Sequence, residues 1–118
     1  MFKTLLLVAP LLILPACGKE EKVSSSTSAD AGSHLWKTSC ASCHGADAAG
    51  LPELSPTLIG SEFVTTSSDD ELLEYITVGR KADDPKSVMN LEMPPKGGNP
   101  MLKKNDILSI VAYIRTIQ

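Results

Sequence analysis

Cys40-Ala41-Ser42-Cys43-His44 is the stretch on which the reading of this chain turns. Two thiols three residues apart can each add across a vinyl group of a haem to give thioethers. The histidine immediately after them then falls beneath the iron as a proximal ligand. Other chemistries use the same residue types. A closed zinc site needs a fourth soft ligand, usually from a second pair downstream, and no Cys or His follows His44. A thiol–disulfide redox pair normally adjoins a βαβ pattern, and no apolar strand-like run stands where that sheet would be required. A structural disulfide between two cysteines this close encloses almost no loop and stabilises little. Haem attachment is the reading that accounts for all three side chains.

The chain has three cysteines, so one remains. Cys17 closes Leu14-Pro15-Ala16-Cys17, behind Lys3 and an apolar run from Leu5 to Leu14. That run falls short of the about 20 apolar residues that span a bilayer, and it fits the apolar region of an export signal. The four residues ending in Cys17 resemble a bacterial lipoprotein box, with Pro15 the less usual member. The expectation is a signal peptide at 1–16 and a lipidated Cys17, with an unmodified Cys17 behind an ordinary secretory signal as the alternative. Residues 18–29 are mostly Lys, Glu, Ser and Thr, too polar to bury a core. The segment 17–29 therefore reads as a flexible tether with a reach of roughly 20 Å. Export agrees with the pentad, because thioether haem is attached outside the cytoplasm in bacteria, whereas an unused thiol pair there is prone to oxidation. The expected location is the periplasmic side of a bacterial membrane, held by lipid.

Residues 30–118 read as one small domain, whose apolar core is marginal without a staple. A covalent haem supplies one, and its ring surface suits a chain that is only 4% aromatic. The whole chain carries 11 Lys and Arg against 14 Asp and Glu, and loss of the leader removes only Lys3. With no basic stripe and no interleaved aromatics, nucleic acid is not an expected partner. Three helices are predicted. One runs from about Ala31 to Ser42 into the pentad, with Leu35 and Trp36 inward. A second begins at the capping box Ser68-Asp69-Asp70-Glu71, carries Leu72, Leu73 and Ile76, and stops at Gly79. A third covers Lys104 to Ile117, where Ile107, Ile110, Val111, Ile114 and Ile117 recur at helical spacing and Asn105 is a candidate cap. Pro- and Gly-rich loops fill 45–60 and 80–100, no useful strand alternation appears, and the expected class is all-α.

At this point the region after Asp30 resembles the class I c-type cytochromes. Gly32-Ser33-His34-Leu35-Trp36 is similar to the family's N-terminal helix, where a Gly and an aromatic pack across the C-terminal helix; Trp36 stands where Tyr or Phe is more usual. The pentad with Gly45 is the second match. Pro56-Thr57-Leu58 resembles the proximal loop, which implies that the Pro56 carbonyl accepts the Nδ1 hydrogen of His44 and that Leu58 lies beside the cofactor. Met93-Pro94-Pro95-Lys96-Gly97-Gly98 and the helix containing Ala112-Tyr113-Ile114 resemble the distal loop and the closing helix.

Among Met89, Met93 and Met101, Met93 precedes two prolines, whose fixed φ stiffens the backbone that would hold a thioether sulfur on iron. The resemblance selects the same residue. For Met89 and Met101 packing is the competing role, and His34, on the first helix, reads as a surface histidine. Arg80, with Tyr75, is a candidate donor to the haem propionates. Both axial positions are then filled by His44 and Met93, which favours outer-sphere electron transfer over chemistry at the metal. The resemblance implies a non-enzymatic one-electron carrier with one covalent haem c, a redox protein as donor and another as acceptor, and a membrane reached through the lipid anchor. The alternative is a fixed cytochrome subunit of a larger membrane oxidoreductase, a quinol-oxidising complex or a terminal oxidase. A gas sensor or peroxidase would need a labile sixth ligand, which the Met-Pro-Pro segment disfavours.

Overall fold

The computed structural model describes residues 25–118. The signal read at 1–16, Cys17 and the first part of the segment read as tether lie outside the described residues. Within them the chain forms five helices: α1 (Ser25–Ser39), α2 (Ala41–His44), α3 (Glu62–Thr66), α4 (Asp69–Val78) and α5 (Lys104–Thr116). A short 3-10 turn covers Pro95–Gly98. Pairing of the extended type is limited, among the described residues, to two isolated bridges, Leu51 with Ser55 and Arg80 with Met93. The class is all-α, as the apolar periodicity predicts.

The core is built where α1 crosses α5. Trp36 from α1 is buried with Ile107, Ile110, Val111 and Ile114 from α5, and Leu72 and Ile76 from α4 close the cluster. Each such side chain stabilises by about 1.5–3 kcal/mol on burial. Gly32 makes the crossing possible, because a Cβ there would stand 1.8 Å from the Ser109 carbonyl oxygen. No side chain larger than hydrogen lets the two backbones approach so closely.

α1 differs from its expected span at both ends. It begins at Ser25, so residues 25–29 of the expected tether are helical, and it ends at Ser39. Cys40 breaks the helix at φ −122°, and α2 restarts at Ala41, so the pentad sits on its own turn. α4 carries the predicted capping box. Ser68 Oγ accepts from the Glu71 N–H at 3.2 Å, and the Glu71 carboxylate accepts from the Ser68 N–H at 2.7 Å. α5 starts where periodicity puts it, but its cap is not Asn105. Asp106 reaches back and accepts from the Lys103 N–H at 2.8 Å, which satisfies one orphan donor of the first turn.

α3 has no sequence signal of its own, being a single turn in a Ser- and Thr-rich stretch. It is held from outside by Arg115 of α5. The guanidinium donates to the carbonyls of Val64 and Ser67 and pairs with Asp69 at 2.9 Å. One side chain thereby satisfies the end of α3 and docks the α3–α4 junction onto α5.

Candidate functional site

The pentad is a turn of helix followed by a tight loop, and its own backbone accounts for the shape. The N–H groups of Cys43 and His44 both donate to the Cys40 carbonyl, at 3.1 and 3.0 Å. The two thiols are free, Cys43 exposed and Cys40 half-buried. Burial, reinforced by the neighbouring Cys43 thiol, pushes Cys40 up to about 11, so it stays a neutral thiol at neutral pH.

His44 is half-buried, and burial lowers its pKa below the ordinary 6.5. Its ring is therefore neutral at pH 7 and keeps a lone pair for a metal. Its Nδ1 is buried and has no hydrogen-bond partner. A buried imidazole with an unmet nitrogen is costly unless another group completes it.

Three residues that hold this turn, two by side chain and one by backbone, carry no signal of a site in the sequence beyond the packing of Trp36. Trp36 Nε1 donates to the Gly45 carbonyl at 3.0 Å in a buried bond, and its ring lies 5.8 Å from that of His44. Tyr or Phe at this place has no such N–H; the departure from the usual residue was the available signal. Ser55 Oγ donates to the Cys43 carbonyl at 2.6 Å. The Gly50 N–H donates to the His44 carbonyl at 2.9 Å. Gly50 also lets the next strand of loop come close, since a Cβ there would stand 2.8 Å from the Pro56 carbonyl oxygen. The Pro56 carbonyl thus lies beside the residue bonded to the His44 backbone, and no bond to Nδ1 is formed. Leu58 is half-buried against the core, its N–H bonded to the Ala48 carbonyl.

Met93 packs against the same core. It is half-buried there, together with Cys40, Leu58 and Tyr75. Its backbone pairs with Arg80, each N–H donating to the other's carbonyl at 2.8 Å. Gly79, the predicted helix stop, has a second reason to be glycine: a Cβ there would stand 2.3 Å from the Met93 carbonyl oxygen and 2.7 Å from the Pro95 nitrogen. The Met-Pro-Pro segment is laid directly on the end of α4. Met101 is 78% exposed, Met89 is half-buried, and neither belongs to the core cluster. His34 is on the surface. The Arg80 guanidinium lies over Tyr75 at 4.3 Å and over Phe63 at 5.0 Å, and it donates to the Lys86 carbonyl at 2.8 Å. Burial raises the Tyr75 pKa, so its phenol is protonated and can donate.

These residues fit a covalent haem. Two free thiols lie one turn apart, the next residue is a neutral histidine with an unmet buried nitrogen, and a thioether reaches the same core. Beyond His44, Leu51, Leu54, Ile59 and Phe63 leave 36–43% of their surfaces open to solvent, an apolar edge that calls for a cover. Cys40 and Cys43 would hold the group, and an iron porphyrin supplies a metal that changes by one electron. Among the described residues no group of three His, Cys, Asp and Glu side chains gathers as a separate metal site, and no helix is long and apolar enough to cross a membrane.

Comparison with known proteins agrees with the geometry. The sequence model of the cytochrome c family matches residues 29–118. Cytochrome cL from the marine methylotrophic bacterium Methylophaga aminisulfidivorans superposes with a TM-score of 0.56 at 32% identity, over 76% of this chain and 53% of that one. The chain thus spans about half the length of that solved relative. No curated protein matches it. With the Cys40–His44 pentad inside the matched span, and an all-α fold that packs Met93 against the same core, the chain belongs to the cytochrome c family and binds haem c.

Proposed function

We propose that this cytochrome c is a one-electron carrier whose single haem is bound through Cys40 and Cys43 and ligated by His44 and Met93. In this reading it is tethered on the periplasmic side of a membrane through a lipid on Cys17. The observation that carries the axial pair is the pinning of Met93. It is bonded twice to Arg80, pressed on Gly79 and followed by two prolines, so its backbone has little freedom to withdraw. A neutral His44 and a fixed Met93 thioether would both hold the haem iron, leaving it to supply one-electron exchange through its edge rather than a site for substrate. Thioether ligation also favours the reduced state and raises the potential. Pro56 and Leu58 contribute the proximal wall. Arg80 gives one hydrogen bond to Lys86, so most of its five N–H donors remain for a propionate.

Met93→Ala tests the ligand set. The oxidised wild-type protein is expected to show a far-red sulfur-to-iron absorption band and the variant to lose it; a band that persists in the variant removes Met93 from the iron. Rapid carbon monoxide binding by the reduced wild type at neutral pH would refute the carrier reading in favour of a sensor or peroxidase. Cys17→Ser should move the protein from the membrane to the soluble fraction, and a variant that stays membrane-bound refutes the anchor. Stoichiometric co-purification with a quinol-oxidising complex or a terminal oxidase in mild detergent would make it a fixed subunit rather than a shuttle.

A further inference from the structure

Loop 81–92 joins the end of α4 to Met93, and the reading above gives it no task. It is ordered by its own bonds. The Asp84 N–H donates to the Lys81 carbonyl at 3.2 Å, the Lys86 N–H to Asp84 Oδ1 at 2.7 Å, and the Ser87 N–H to the Asp84 carbonyl at 2.8 Å. Ser87 Oγ then donates to the Leu91 carbonyl at 3.3 Å. The paired backbone bonds between Arg80 and Met93 close the loop at its neck. The Arg80 side chain folds back across it and donates to Lys86, halfway round. That side chain is itself seated on Tyr75 and Phe63, which meet edge to face at 5.1 Å. Its charge also stands just past the C-terminus of α4, where the helix dipole favours a cation.

We infer that Arg80 is a positioning residue for Met93: its guanidinium, clamped between Lys86 of the loop and the Tyr75–Phe63 pair, keeps loop 81–92 from drawing Met93 away from the site. The inference rests on the reading that Met93 ligates iron. The physical route is short. A loop closed only at its neck explores many conformations, and every one that extends pulls on Met93, the residue that closes it. Tying its midpoint to a fixed aromatic pair removes most of that freedom on the side where the ligand is attached. The Arg80 backbone pins the Met93 backbone and the Arg80 side chain pins the loop, so one residue holds both its neck and its middle.

The test is competition for the sixth position in the purified haem-loaded protein, with free imidazole as the probe and loss of the far-red band as the readout. Loss of one charged hydrogen bond and two ring contacts in Arg80→Met should tighten apparent imidazole binding by about tenfold. Asp84→Ala removes the turn that presents the Lys86 carbonyl and should shift binding in the same direction by a few-fold, through the loop alone. Arg80→Met at the wild-type value overturns the inference. So does a shift in Arg80→Met with Asp84→Ala unchanged, which would mean that Arg80 acts through its propionate contact alone and not through the loop. A wild-type protein without the far-red band removes Met93 as ligand, and the inference with it. Intact mass and a thermal melt on each variant separate these results from loss of haem or fold.

Discussion

Replacing Gly79 by alanine adds one methyl group at the place where α4 ends and the Met-Pro-Pro segment crosses it. Gly79 has φ 77° and ψ −170°, a region open essentially to glycine alone. Forcing alanine into it costs about 1–3 kcal/mol. The new Cβ would also start 2.3 Å from the Met93 carbonyl oxygen, whereas real Cβ contacts do not fall below 3.0 Å, so the segment must move away. The atom it meets belongs to the backbone bonded to Arg80, so the shift strains two hydrogen bonds worth about 0.5–1.5 kcal/mol each. A central value near 3 kcal/mol corresponds to a fall in Tm of about 12–24 °C for a domain of this size. The same displacement carries the Met93 sulfur away from the site. The assay is therefore double: far-UV circular dichroism on heating for the fold, and the far-red band of the oxidised protein for the ligand. The band should be lost at temperatures where the variant is still fully helical. A variant that keeps the band and melts within a few degrees of wild type refutes the close approach of Met93 to the end of α4.

Trp36→Phe keeps an aromatic ring but leaves the buried Gly45 carbonyl without its donor; a loss of about 1–3 kcal/mol is expected in urea unfolding, and an unchanged midpoint would show that the bond does not hold the pentad. Ser68→Ala should cost about 1 kcal/mol at neutral pH through the lost cap. Bonds from the Ser68 N–H and hydroxyl hold the Glu71 carboxyl below its ordinary 4.5, so the part of the cap that runs through the carboxylate is present above that pH and is lost as pH falls through the lower folded value. The gap between wild type and Ser68→Ala should narrow in acid, and a gap constant from neutral to acid pH contradicts the capping box. Cys40→Ser with Cys43→Ser removes both proposed thioethers; near-UV dichroism and much of the helical signal should fall together, and a cooperative wild-type melt in this variant would show that the polypeptide core needs no staple.

How much of this was legible depended on how far along the chain each interaction reaches. The pentad, the Ser68–Glu71 box, the Gly79 stop and the apolar stripe of α5 are signals within a few residues of one another, and all of them appear in the structure. Arg115 was invisible as a clamp because its partner Asp69 lies 46 residues away, and no local pattern marks a guanidinium as belonging to someone else's helix end. α3 was missed for the same reason, since its stability comes from that clamp. The early start of α1 has a different cause. A run of Ser, Thr, Asp and Ala is too polar to suggest helix, yet it continues a helix already docked, as the 3.4 Å contact of Ser28 Oγ with Ser109 Oγ shows. Tertiary packing overrides propensity there. Trp36 was read as a packing residue, and its ring does pack against Tyr113; what sequence could not give was the aim of its N–H.

The two segments proposed to bear the haem ligands are also joined to each other by protein alone. After Pro95 the backbone turns left-handed at Lys96, Gly97 and Gly98, with φ of 55°, 63° and 82°. This brings Asn99 back to α1, where Nδ2 donates to Ser39 Oγ at 3.0 Å across 60 residues of sequence. A Cβ on Gly97 would stand 3.1 Å from the Ser39 carbonyl oxygen, so the turn is pressed against the residue that precedes Cys40. The pentad and the Met93 loop therefore share a boundary made by protein alone. On the proposed ligation, such a boundary would hold His44 and Met93 in place through protein contacts alone. Ligands so placed have little reason to move when the charge on the metal changes, because moving either one means breaking contacts with the other's support. That is the structural condition for a carrier that gains and loses an electron without rebuilding its site, and it follows from Ser39, Gly97 and Asn99, none of which touches the chemistry.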